Sequence, residues 1–194
     1  MVLPEWLVER FPAATVLEQR WGAVSGFAAA AWLVFYGGLL LSAAIHHSLL
    51  RWFDLVFIPI HEGGHLLLRF FGEWLSAAGG TGLQLFAPLA LAAYFAFRRE
   101  LAGTTFCIFF FFSQFLPIGV YMADARSQSL EYVTVGDPEL AEHDWFYLFS
   151  RVGVLEYDTS IGGAVRVLGW LGMIATVAWF GWRCFGRRTP ADQR

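Results

Sequence analysis

The stretch His61-Glu62-Gly63-Gly64-His65 contains residue types and a spacing that can bind a metal ion. Side chains four residues apart lie on one face of an α-helix, so both imidazoles can bind one ion, usually zinc. Glu62 lies on an adjacent face, where it can take a proton from a metal-bound water without being a ligand. The spacing therefore predicts a zinc site with Glu62 as catalytic base, and other divalent transition metals suit the same ligands.

The motif lies within an apolar run, from Trp52 to Phe71, that is long enough to cross a bilayer. An ionisable side chain at the centre of a membrane helix costs roughly 2.5–3.5 kcal/mol, so such residues are usually functional and partnered. Zinc would offset this cost by ligating both rings and neutralising Glu62. The alternative is a pair of buried histidines that hydrogen-bond to neighbouring helices. The cost of intramembrane charge favours the metal site.

Two histidines do not complete a catalytic zinc site, which typically has three protein ligands and one open position. We expect the third ligand to be His143, which lies in a polar segment late in the chain. Asp144 is the second candidate, either as a direct ligand or as the carboxylate that orients a ligating ring. Asp124, at the end of a later apolar run, is the third.

The composition is that of a membrane protein. Only 15% of the 194 residues are charged, whereas a soluble domain has about 25%. Hydrophobic residues make up 57% of the chain, and the mean hydropathy is +0.53. These values predict an all-α, polytopic membrane helix bundle whose partner is the lipid bilayer. The net charge of −3, and the lack of a basic cluster with base-stacking aromatics, exclude a nucleic-acid-binding function.

Apolar runs predict about five membrane-spanning helices, with the motif helix as the second. A glycine-rich turn, Gly72 to Gly82, is expected to follow the motif helix. The third run is short, so that helix is either tilted or re-entrant. In the fourth, Ser113 and Gln114 either line a cavity or hydrogen-bond between helices. The expected spans are Val24–Ile45, Trp52–Phe71, Leu83–Phe97, Leu101–Met122 and one from Ile161 or Gly163 to Trp182.

The chain divides into four parts by composition. These are an amphipathic interfacial segment (1–21), the membrane bundle with the motif helix (22–122), an acidic segment (123–162), and the last span with a basic tail (163–194). Eight acids lie between Asp124 and Asp158, together with too many apolar residues for a disordered loop. We expect this segment to fold, to be partly helical after Pro138, and to dock on the membrane bundle.

The distribution of arginines predicts the orientation, because cytoplasmic loops carry an excess of basic residues. With five spans, Arg51, the Arg98–Arg99 turn and the C-terminus share one side, which we expect to be cytoplasmic. The acidic segment then lies on the outer face. The end of the motif helix that carries His65 points to that face, so the segment can reach the metal.

The motif resembles that of the intramembrane zinc metalloproteases of the site-2 protease type, over His61 to His65 only. The resemblance implies zinc, Glu62 as general base, an aspartate ligand from a later helix and a membrane-embedded peptide substrate. That family's aspartate context, Asn-Pro-Asp-Gly or Leu-Asp-Gly, does not occur in this chain. The combination of HEGGH, Asp124-Ala125-Arg126 and His143-Asp144-Trp145 also resembles a group of uncharacterised bacterial integral membrane proteins. This second likeness implies the bacterial inner membrane but no particular activity.

Three functions fit these residues. The first is a zinc-dependent intramembrane hydrolase, most simply a metalloprotease that cleaves a membrane-embedded peptide. The second is a zinc-dependent hydrolase of membrane lipid amides or esters. The third is not an enzyme: a structural metal would clamp the acidic segment to the bundle, or the protein would handle metal. Glu62 separates them, because a hydrolase needs its carboxylate as a base and a structural site does not.

Overall fold

The structure is a computed structural model that describes residues 20–45, 48–130 and 143–186. Within these ranges all regular structure is helical, which confirms the predicted all-α class. The α-helices are α1 (Gly26–Ile45), α2 (Ser48–Leu68), α3 (Glu73–Phe97), α4 (Leu101–Ser113), α5 (Phe115–Ala123), α6 (Asp144–Val152) and α7 (Asp158–Phe185). Short 3-10 segments, Arg69–Phe71 and Leu155–Tyr157, precede α3 and α7. The predicted interfacial segment, up to residue 19, Pro138 and the arginine-rich tail lie outside the described residues.

Four stretches of the described chain are helical, long and apolar enough to cross a membrane, as expected of an integral membrane protein. They are Gly26–Ile45, Glu73–Phe97, Leu101–Ala123 and Leu155–Phe185. The motif helix α2, predicted as the second of about five spans, is not among them. Its 21 residues include three charged side chains, Arg51, Asp54 and Glu62, which lower its apolar character. The orientation that rests on five spans stays a prediction.

The glycine-rich turn predicted from Gly72 to Gly82 is wrong. Only Gly72 lies in the turn, where its φ of 103° suits glycine, and α3 begins at the next residue. The remaining glycines are helical because α3 packs directly on α2. A Cβ atom on Gly64 would overlap the Gly79 carbonyl oxygen, so small residues allow the two backbones to touch. Tertiary packing thus overrides the weak helix propensity of glycine.

The fourth predicted span is one apolar stretch that contains a break. Helix α4 ends at Ser113, and α5 begins at Phe115. Pro117 explains the break, because it has no N–H to donate to the Ser113 carbonyl, four residues earlier. Between the two helices, Gln114 is fully buried and bonds to side chains of other helices, which decides between its two predicted roles.

The last helix is longer than predicted, starting at Asp158 and ending at Phe185. It packs on α4 and α5. Its Gly162 lies against Gly119 of α5 so closely that a Cβ on either residue would meet the other's carbonyl oxygen. The glycines again allow close packing within the helix and do not end it.

In the described part of the acidic segment, α6 packs on the bundle, as predicted. This helix begins after its N-cap, His143, and ends at Gly153, whose φ of 72° is the left-handed conformation common at helix C-termini. Phe149 of α6 is buried with Ile118 and Met122 of α5. Burial of a phenylalanine side chain stabilises the fold by roughly 1.5–3 kcal/mol. This contact holds the start of α6 beside α2 and α3.

Candidate metal centre

Three side chains from two helices converge at the start of α6. The Nε2 atoms of His61 and His65 lie 3.2 Å and 3.3 Å from the same oxygen, Oδ2 of Asp144. Within the described residues they form the one group of three with the geometry to hold a metal ion. Zinc bonds of about 2.0–2.1 Å at tetrahedral angles place two ligand atoms about 3.3 Å apart. The two separations between the ring nitrogens and Asp144 Oδ2 match that spacing.

The opposite nitrogen of each ring faces an atom that can only accept a hydrogen bond. Nδ1 of His61 lies 2.9 Å from Oε1 of Gln84, and Nδ1 of His65 lies 2.8 Å from the Ser76 carbonyl oxygen. A ring that carries its proton on Nδ1 donates it to this acceptor. In a neutral ring this leaves the Nε2 lone pair directed at Asp144.

The centre consequently brings together three acceptors: two ring nitrogens and a carboxylate oxygen. All three residues are partly buried. Facing acceptors in such a place are costly unless a positive charge lies between them. A metal ion satisfies all three atoms at once, and protonation of the rings is the alternative. The donor set, two imidazoles and one carboxylate, is one that zinc accepts.

Gly80 provides the room that an ion needs. A Cβ atom built on this residue would lie 2.5 Å from Nε2 of His65 and 2.6 Å from Nε2 of His61. Any side chain there would take up the space beside both nitrogens. Gly82, on the same helix, has nothing within 4 Å of its Cβ position. Gly80 is thus required beside the histidines, whereas a side chain at Gly82 would meet open space.

Asp144 is held in place by its own backbone and by its neighbour. Its N–H donates to Oη of Tyr121 at 3.2 Å. The preceding residue, His143, caps α6, because its Nδ1 accepts the N–H of Phe146 at 3.3 Å. The His143 ring stacks on Tyr121 with 4.2 Å between ring centroids. These contacts with α5 fix where α6 begins and therefore where the Asp144 carboxylate lies.

The site also favours the charged form of Asp144. Burial raises the pKa of its carboxyl, but hydrogen bonds and charge from the His61 and His65 rings, when these are protonated at Nε2, outweigh burial. The net effect is a pKa below the usual value for aspartate. Asp144 is thus available as an anionic ligand.

His143 and Asp124, the other two predicted ligands, lie together outside this group. Nε2 of His143 is 3.8 Å from Oδ2 of Asp124. Burial lowers the pKa of His143 despite the charges of Asp124 and Asp144. A neutral ring is what its capping role requires, since its Nδ1 accepts a hydrogen bond. The geometry favours Asp144, the second candidate, over His143 as third ligand.

Asp124 organises the loop that follows α5. Its Oδ1 accepts hydrogen bonds from both hydroxyls of Ser127 and Ser129 and from the Ser129 N–H, and its Oδ2 accepts from the Leu130 N–H. Burial raises the pKa of this carboxyl, but these donors together lower it to about 2. The lone pairs of Asp124 are therefore used by the loop.

Glu62, the predicted base, lies beside the centre. It follows His61 on α2 and is partly buried. It does not belong to the three-residue group. This placement is consistent with a carboxylate that is near an ion without binding it.

Sequence reasoning missed the residues of α3 that support the site. Ser76, Gly80 and Gln84 are spaced four apart and so lie on one face of this helix. That spacing was a usable signal, hidden because the glycines around it suggested a turn. Gln84 and Ser76 contact the Nδ1 atoms of the two rings, and Gly80 leaves space beside the Nε2 atoms.

A scan against protein-family models, a search of curated proteins and a search of solved structures find no match to this chain. The resemblance to site-2 proteases therefore stays a prediction. The geometry of the centre carries the functional argument.

Proposed function

We propose that this membrane protein is a zinc-dependent hydrolase whose metal is held by His61, His65 and Asp144. One observation carries the proposal: two ring nitrogens lie 3.2 Å and 3.3 Å from one carboxylate oxygen, the spacing of ligands in a tetrahedral site, and the three ligand atoms lie within 4.8 Å of one another. Three protein ligands leave one position open, which is typical of catalytic zinc, whereas structural zinc has four. Zinc bound there would supply Lewis-acid activation of a water molecule and of the scissile carbonyl group.

The chain's own residues have distinct tasks in this proposal. The Glu62 carboxylate takes the proton from the attacking water and later returns it to the leaving group. Glu62 follows His61 on the helix that carries both ring ligands, and it is partly buried. Gln84 and the Ser76 carbonyl hold the rings with Nε2 towards the ion. Gly80 keeps the space beside both nitrogens open.

The substrate we propose first is a membrane-embedded peptide, cleaved by an intramembrane metalloprotease. The centre lies between α2 and α3, and α3 is apolar enough to span a membrane. A peptide bond in a membrane-embedded substrate would therefore be cleaved within the helix bundle. The bacterial inner membrane and a cytoplasmic C-terminus belong to the same proposal, from the sequence resemblance and the arginine distribution.

A lipid amide or ester is the second candidate substrate, and one observation favours it. Asp144 comes from α6, which lies outside the four candidate spans. The centre is thus where spanning helices meet the polar segment, a position suited to the carbonyl groups of lipids near the headgroups.

Metal analysis tests the ligand set. The protein is purified in detergent after zinc-replete expression, as wild type, His65→Ala, Asp144→Ala, His143→Asn and Glu62→Gln. We expect one zinc per chain in the wild type, in His143→Asn and in Glu62→Gln, and loss of zinc in the other two. A wild type without stoichiometric metal would falsify the metal centre.

Activity is then measured in proteoliposomes with quenched fluorescent transmembrane peptides and, separately, with fluorescent lipid amides and esters. Glu62→Gln should hold zinc yet lose about 100-fold or more of the turnover, as removal of a general base does. Equal activity in wild type and Glu62→Gln would make the metal structural and end the hydrolase proposal.

A further inference from the structure

We infer that Asp54, Gln114 and Gln84 form a one-way hydrogen-bond chain that sets the tautomer of His61, so that its Nε2 faces the metal centre. They are positioning residues. The inference rests on the proposed function in one respect only, namely that the Nε2 lone pair binds the metal. The chain connects α2, the break between α4 and α5, and α3. It therefore connects parts of the bundle that are remote from α6 to one metal ligand, His61.

The links are continuous from Asp54 to the centre. Nε2 of Gln114 donates to Oδ1 of Asp54 at 3.4 Å. Nε2 of Gln84 donates to Oε1 of Gln114 at 2.8 Å. Oε1 of Gln84 then lies 2.9 Å from Nδ1 of His61. His61 Nε2 lies 3.2 Å from Asp144.

The direction of the chain is fixed at the Gln114 end. An ionised carboxylate only accepts, so Asp54 requires the amide nitrogen of Gln114. Ser113 adds a second, weaker constraint on the same nitrogen. Its hydroxyl already donates to the Phe110 carbonyl at 2.9 Å, so its oxygen can only accept from Gln114, at 3.5 Å. Both neighbours of that nitrogen are acceptors.

This direction passes along the chain to His61. With its nitrogen committed, Gln114 presents its oxygen to Gln84, which must use its own nitrogen there. Gln84 then presents an oxygen to His61, which must donate from Nδ1. Gln114 is fully buried and Gln84 is 9% exposed, so water cannot readily replace a misdirected link.

His65 provides an internal reference. Its Nδ1 faces the carbonyl oxygen of Ser76, an acceptor that no side-chain substitution changes. A variant that acts through the chain should alter His61 and leave His65 as it is. General loosening of the fold would alter both rings.

The first experiment reads the tautomers directly. The full chain, labelled with 15N-histidine, is freed of metal with a chelator in detergent, and ring nitrogen shifts are recorded well above the ordinary histidine pKa. Signals are assigned from His61→Asn and His65→Asn. In the wild type we expect both rings protonated at Nδ1.

Two variants at one position provide the matched control. In Gln84→Met the acceptor is lost, so His61 should move its proton to Nε2, where Asp144 accepts it, while His65 stays unchanged. Gln84→Glu keeps an acceptor oxygen and should restore the Nδ1 proton. Zinc affinity should fall about 10–100-fold in Gln84→Met, as for other outer-shell partners, and should be largely restored in Gln84→Glu. Asp54→Asn, which can donate or accept, should give a mixture of tautomers.

The possible outcomes separate the two proposals. A wild-type His61 protonated at Nε2, or a His61 tautomer unchanged in Gln84→Met, overturns the inference whether or not zinc binds. The expected tautomers in a protein that never takes up zinc support the inference and overturn the proposed function. A shift of both rings together in Gln84→Met also overturns it, because that pattern is loss of structure and not loss of a link.

Discussion

Two regions of this protein place an aspartate against histidine, and they differ in what the lone pairs face. In the metal centre, Asp144 Oδ2 lies 3.2 Å and 3.3 Å from two ring nitrogens, and the opposite nitrogen of each ring faces another acceptor. In the second region, Asp124 and His143 are 3.8 Å apart. There the carboxylate accepts from the loop after α5, and the ring caps α6.

The two regions show what distinguishes a metal ligand from a residue of similar type that binds no metal. His143 and Asp144 are neighbours in sequence, and both are types that bind zinc. One uses its lone pair on a backbone N–H, whereas the other directs an oxygen at two further acceptors. The difference is whether backbone donors already occupy the acceptor atoms, and four predictions test it.

The largest expected effect comes from filling the space beside the ligand nitrogens. Gly80→Ala should reduce zinc affinity by more than about 100-fold, since it blocks the ligand atoms themselves and outer-shell changes alone cost 10–100-fold. Gly82→Ala is the matched control on the same helix and should bind zinc as the wild type does, because its Cβ meets open space. Competition titration with a zinc chelator measures both. Equal affinities for the two variants would show that no ion lies beside Gly80.

An intermediate effect is expected at Asp124, on stability and not on metal. Asp124→Asn should lower the free energy of unfolding by about 1–2 kcal/mol, because hydrogen bonds to a charged acceptor are lost. Zinc stoichiometry should stay at the wild-type value. Denaturation in detergent, followed with elemental analysis, measures both quantities, and loss of zinc together with a small stability change would instead make Asp124 a ligand.

The same variant gives a pH dependence. The pKa of Asp124 is lowered from 3.8 to about 2, so its charge stabilises the fold above the unfolded value. That contribution is lost as the pH falls from 3.8 through about 2. The stability difference between wild type and Asp124→Asn should therefore be constant at neutral pH and shrink over that acidic window. If the stability difference between the two proteins persisted below this pH window, the charge of the Asp124 carboxylate would not be its cause.

The smallest effect is expected at His143. His143→Ala removes a helix cap and should cost about 1 kcal/mol of stability, whereas His143→Asn, a good capping residue, should cost less. Both variants should keep one zinc per chain. Thermal unfolding and metal content are the measurements, and a His143→Asn protein that folds but lacks zinc would move His143 into the ligand set.

Much of the architecture was accessible from sequence because it rests on local patterns. Apolar runs predicted the helical membrane bundle, and the four-residue spacing of His61 and His65 placed both rings on one face of α2. The same reasoning placed Asp144 among three candidates, through its position in a segment expected to dock on the bundle.

The rest depended on contacts between elements distant in sequence. Glycines 72 to 82 resemble a turn by propensity, and only the approach of Gly64 to Gly79 explains why most of them are helical. The choice between His143 and Asp144 depends on which residue caps α6, and that follows from the Tyr121 contacts. Spacing along one chain segment does not contain this information.

The backbone contact of Gly64 with Gly79 also has a mechanical consequence. Ser76, Gly80 and Gln84 all lie on α3, while the rings that they serve lie on α2. A slide of α3 by one residue along the helix axis, about 1.5 Å, would therefore break both Nδ1 contacts and close the space beside the nitrogens in a single movement. Because no side chain separates Gly64 from Gly79, the two backbones are in direct contact, and this contact fixes the position of α3 along α2. The alignment of the whole centre therefore depends on these two glycines.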